Sequence, residues 1–188
     1  MSISAERAEL IESLAEHRGF LLATSEGLTE EQSRTASTVS DLTIASILKH
    51  VADTEEQWMD FAVRGSEAFA GGGVYESYVD WDAVDAEAAT NNGDWSGSEW
   101  EDDRFVVGDH ETLDSLRTRM AQVAARTEEL LTAGDLDAGH ELPEAPWFAP
   151  GTIWSLRRVA LHMLGEISHH TGHSDIIREA IDGKKMMG

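Results

Sequence analysis

Cysteine is absent from all 188 residues, which excludes a disulfide framework, a thiolate-ligated zinc or iron–sulfur site, and a thiol nucleophile. Any metal must be held by His, Asp or Glu. Basic residues are scarce: 14 Lys and Arg face 36 Asp and Glu, a formal charge of -22. A surface of that sign lacks the electrostatic footprint of a nucleic-acid or anionic-membrane binder, so neither partner is expected. Long apolar runs are missing too, with no stretch of ~18 uncharged apolar residues, and the opening Met1 to Arg7 shows no basic start followed by an apolar run. A cytoplasmic protein is therefore expected. Proline occurs three times, always between Asp135 and Pro150, a stretch that therefore reads as a connection between helices. The length suits one domain, expected over residues 1–188.

Helical periodicity is what the chain does have. Apolar residues from Ala8 to Leu22 recur at helical spacing and predict a first helix between Ser4 and Thr24. The polar stretch Ser25 to Asp41 reads as a connection with one short turn after Thr29, where Thr-Glu-Glu-Gln has capping-box spacing. A second helix is predicted from Thr43 to Val63. Beyond it, Gly71-Gly72-Gly73, Asn91-Asn92-Gly93 and Ser96-Gly97-Ser98 interrupt a segment carrying Trp81, Trp95 and Trp100. That segment reads as an irregular insertion packed over the bundle mouth. A third helix is expected from a cap at Asp109 to a stop at Gly134, and a fourth from Thr152 to Ile181, closed by Gly183 and followed by a frayed tail. The expected fold is all-α, a four-helix bundle with long connections and a Trp-bearing insertion between helices two and three.

Of eight histidines, His162, His169, His170 and His173 lie in the fourth predicted helix. Residues four apart on a helix point in directions about 40° apart and one turn along, so His162 with Glu166, Glu166 with His170, and His169 with His173 could each converge on one ion. Leu156, Met163, Ile167, Ser174, Ile177 and Ile181 mark the core-facing stripe. His170 falls within it and Glu166 at its edge, whereas His169 lies about 100° away. An inward carboxylate is costly unless paired or bound to a cation, so Glu166 beside His170 suggests a metal; a buried Glu–His hydrogen bond is the bland alternative. His50 flanks the inner face of helix two and is the expected third ligand, an open site with water in the remaining positions. Zinc suits such donors, and nickel or iron would also fit. Glu55 lies on the same helix two stripe, either near the metal or as a structural partner. His17, His110 and His140 have no ligand spacing and are expected at the surface.

At these residues the sequence resembles the DinB-like superfamily of metal-binding four-helix bundles, in the branch near mycothiol-dependent maleylpyruvate isomerases. The resemblance covers nearly the whole chain and is strongest over Leu48 to Trp58 and over Leu156 to Glu179. It implies a metal held by a His of helix two and by two ligands one turn apart on the last helix, here His50, Glu166 and His170. It also implies a small-molecule substrate, a low-molecular-weight thiol co-substrate and, as in many relatives, a homodimer. The chain departs from the pattern in the segment from Gly71 to Trp100 and at Gly165, where a larger residue is expected. The C-terminal domain of the isomerases is not seen, so that isomerisation is not expected.

The leading expectation is a metal-dependent thiol S-transferase of the mycothiol or bacillithiol type, in which a metal-activated thiolate replaces the missing cysteine. Arg157 and Arg178 are then candidates for binding a carboxylate of thiol or substrate, with surface ion pairing as the alternative, and Trp58 and Trp147 for lining the pocket. A metal-dependent hydrolase would use the same ligands with Glu55 or His173 as general base. A non-catalytic metal-binding or stress-associated bundle is the third reading.

Overall fold

The computed structural model describes residues 3–69, 103–143 and 148–186. The expected tryptophan-bearing insertion and Trp147 lie outside the described residues. Five helices are seen among those described: α1 Ala5–Ala23, α2 Glu30–Ser33, α3 Ile44–Arg64, α4 Leu113–Ala133 and α5 Leu156–Asp182. Short 3-10 turns, Gly65–Phe69 and Asp103–Phe105, flank the undescribed segment that follows α3.

Each long helix begins where a hydroxyl can accept a hydrogen bond from an orphan backbone N–H. Ser4 accepts from Arg7 ahead of α1. Thr29 and Thr43 form complete capping boxes with Gln32 and Ser46. The fourth-helix onset differs from the predicted one in a specific way. Residues Ile153–Ser155 form a strand, β2, that pairs antiparallel with β1, Gly139–Glu141, placing His140 opposite Trp154. Only at Ser155, whose side chain accepts from Arg158, does the helix start. Three-residue strands leave too little alternation to be read from sequence. The cap predicted at Asp109 belongs instead to Thr112, which accepts from Ser115; the backbone turns first at Gly108, whose N–H donates to Glu111.

The long helices form a ring in which α4 and α5 each pack against both α1 and α3. Helices α1 and α3 are therefore diagonal. Leu14 and Leu21 of α1, Ile47, Leu48, Val51 and Phe61 of α3, Leu116, Met120 and Leu131 of α4, and Val159, Met163 and Ile167 of α5 fill the interior. Across the diagonal runs an ion pair: Arg18 Nε donates to Glu55 Oε2 at 2.9 Å and Nη2 to Oε1, while Thr127 of α4 donates to Oε1 at 2.5 Å. Glu55 is 0 % exposed, so its charge is tolerated only because three donors satisfy it.

Arg178 is a second buried cation, 1 % exposed. Its Nη1 donates to the carbonyls of Thr24 and Glu26 just beyond α1, and its Nε and Nη2 pair with Asp182. A cation at a helix C-terminus satisfies orphan carbonyls and opposes their dipole. Arg178 thus ties α1 to α5 and is not available for the expected substrate contact. Beyond Gly183, Met186 N–H donates to Asp175 at 2.7 Å, turning the described part of the tail back onto α5.

Candidate metal centre

Helices α3 and α5 bring His50, Glu166 and His170 together, one ligating atom of each lying within 4.8 Å of the other two. This is the trio expected from the helical wheel. His50 and His170 are buried at 6 % and 8 % exposure, and their rings meet edge to face with centroids 4.8 Å apart. His170 Nε2 lies 3.6 Å from Glu166 Oε2. Phe105, from the chain returning towards α4, stacks on His50 at 4.2 Å. Thr54 Oγ1 lies 3.5 Å from His50 Nε2, one turn further along α3.

Glu166 is held below the usual carboxylate range, chiefly by the adjacent His170 and, against the opposing effect of burial, by His162 and His50. It is an anion at neutral pH. Two imidazoles and a carboxylate form a donor set suited to borderline divalent ions. His170 Nδ1 is buried with no hydrogen-bond partner among the described residues, an arrangement that a resident ion or water would explain. The residues present therefore fit a metal.

Around the trio runs a ladder at four-residue spacing: Trp154 in β2, then Arg158, His162, Glu166 and His170 on α5, each beside the next, the row winding by about 40° per step around the helix. His162 Nε2 lies 4.0 Å from Glu166 Oε1, the oxygen turned away from His170. Burial lowers the proton affinity of His162, with Glu166 acting against that effect and Arg158 adding to it. Its ring packs edge to face on Trp58 and Trp154, which stack on each other at 4.9 Å. Arg158 covers Trp154 with its guanidinium 4.5 Å from the ring centroid. A strict four-residue recurrence ending at Glu166 and His170 was the available signal for this ladder; nothing in the sequence pointed to Phe105.

The remaining expected site residues fall elsewhere. Glu55 is committed to Arg18 and Thr127 in the core, which favours the structural alternative. Arg157 forms ion pairs with Glu6 and Asp137, the surface alternative, because the start of α5 lies beside the start of α1. Trp58 is 3 % exposed, walled in by Trp154, His162, Phe61 and Phe69, and presents no open face to a pocket. His173 is adjacent, its ring 5.5 Å from that of His170, and burial together with the neighbouring His169 and His170 lowers its proton affinity. His110 is exposed as expected, whereas His140 packs edge to face on Phe61. A hollow lined by Glu56, Arg119, Gln122 and Arg126 lies along α3 and α4 and includes none of the trio.

A family model described as mycothiol S-transferase matches residues 9–183. No curated protein matches the chain.

Proposed function

Because the chain belongs to the mycothiol S-transferase family, we propose that it joins a low-molecular-weight thiol of the mycothiol class to an electrophilic small molecule at the centre formed by His50, Glu166 and His170. The observation that carries this reading is the meeting of those three side chains from two helices within 4.8 Å, in a chain without cysteine. A divalent ion held there, zinc being the best match to the donors, would supply the Lewis acidity that lowers the pKa of a thiol towards neutrality.

The chain's own residues prepare that centre. His50 and His170 offer imidazole nitrogen donors, and Glu166 adds one negative charge. Phe105, packed on both His50 and His170, excludes water from that side, which strengthens electrostatic interactions within the trio. His162, wedged against two indoles, faces the outer oxygen of Glu166. In the transfer, the thiol sulfur forms a new carbon–sulfur bond, and the electrophile's leaving group departs or its double bond takes up a proton. Arg158 is the ladder's cation. It has no acidic partner among the described residues, and its stacking on Trp154 pre-orients its N–H edges to hold an anionic group of the electrophile. The hydrolase alternative loses Glu55 as its base, since Arg18 and Thr127 occupy that carboxylate.

The test is elemental analysis of untagged protein, wild type against His50→Ala, Glu166→Gln and His170→Ala, followed by thiol consumption with mycothiol and chlorodinitrobenzene or monochlorobimane. We expect about one tightly held ion per chain in wild type as purified, that ion being lost in each variant, with thiol consumption lost in parallel. Wild type that takes up no zinc or nickel from excess would sink the metal centre. A loaded protein that consumes no thiol would retire the transferase reading and leave the centre standing.

A further inference from the structure

Helix α5 carries a second pair of imidazoles that the centre does not use. His169 is exposed and His173 half-buried, with ring centroids 4.5 Å apart and planes crossed at 71°. Four residues separate them, so both rings leave the same side of the helix one turn apart, the spacing by which helical histidine pairs share an ion. His173 Nδ1 is buried and has no hydrogen-bond partner among the described residues. An orphaned imidazole nitrogen beside a second, solvent-facing imidazole is the chemistry of an incomplete coordination shell.

From this geometry we propose that His169 and His173 form a second, outer site for a borderline divalent ion such as zinc, nickel or copper, with water completing the shell. No carboxylate is required. The net charge of -22 raises the local concentration of cations around the chain, and imidazole nitrogen selects borderline ions over calcium and magnesium. The outer site adjoins the inner one, since the rings of both His169 and His173 lie 5.5 Å from that of His170. An ion bound outside is thus one histidine away from the buried trio.

Calorimetric titration of the full, untagged chain, stripped of metal and then supplied with zinc chloride, tests this independently of any transferase activity. Wild type is expected to show two classes of site, the weaker saturating at micromolar rather than millimolar zinc. His169→Gln, a change at an exposed position, removes the weaker class and leaves the tighter one. His50→Ala does the reverse. A background of excess magnesium leaves both classes in place. A single class in wild type overturns the proposal. So does a second class that survives His169→Gln or is abolished by magnesium, because that zinc would then be bound by surface carboxylates.

Discussion

A fully buried carboxylate is tolerated only while its donors remain. Arg18→Ala would leave the buried Glu55 without its cationic partner, with only Thr127 still donating to it, and is expected to cost about 3–5 kcal/mol, whereas the double change Arg18→Met with Glu55→Leu should cost far less or nothing. Urea denaturation of the three proteins measures the difference; if the single and double variants lose equal stability, the pair is not what the core depends on. The same pair explains what could be read at this scale. His50, Glu166 and His170 were legible because a helix fixes the direction of every side chain along it, so the wheel alone aims them inward. Glu55, Arg157 and Arg178 were not, because their partners Arg18, Glu6 and Thr24 lie on another helix or at its end, and no local pattern says which distant group will arrive. Arg158 shows the complement: its partner Trp154 is four residues away, within reach of a sequence reading.

Two glycines separate local from tertiary causes at the scale of elements. Gly165 sits inside α5, and a Cβ there would meet nothing within 4 Å. Gly165→Ala should therefore stabilise the protein by about 0.5–1 kcal/mol through helix propensity and a less flexible unfolded chain. Gly134 ends α4 with an ordinary φ of -71°, yet a Cβ would lie 2.6 Å from the carbonyl oxygen of Leu130 and 2.9 Å from Leu156. Gly134→Ala should cost about 1–3 kcal/mol by overpacking. Thermal melts of both give opposite signs if the packing is as described, and a stabilised Gly134→Ala would contradict it.

Acid sensitivity also belongs to an element. Glu30 of α2 accepts from the N–H of Leu113 and from Arg34, which together hold its pKa below the usual value. A carboxyl with a depressed folded pKa contributes stability above its unfolded value and loses it as pH falls through the folded one. Glu30→Gln should thus narrow its deficit against wild type as pH drops below about 4, as acid titration of the melting temperature would reveal. A constant deficit would mean that the charge is irrelevant. The long helices were legible from their periodicity and caps. The β1–β2 ribbon was not, because its three-residue strands are specified by pairing across the turn more than by their own composition.

The whole molecule carries its charge of -22 as mutual repulsion that opposes compaction. Raising ionic strength from about 0.01 to 0.1 M shortens the Debye length from roughly 30 to 10 Å and screens it. The melting temperature should rise, since the exposed ion pairs weakened at the same time contribute little each. A flat or falling profile would mean that those pairs, summed over the surface, outweigh the repulsion.

The stacked indoles of Trp58 and Trp154, 4.9 Å apart and tilted by 23°, have a consequence in light. Transition dipoles that close exchange excitation, so the two chromophores absorb as one coupled system and their circular dichroism splits into paired bands of opposite sign. His162 touches both rings and faces Glu166, so a change at the carboxylate reaches the couplet through one imidazole. The protein carries its own optical gauge beside the residues it would use for chemistry, and it can be read without a dye, a label or a substrate.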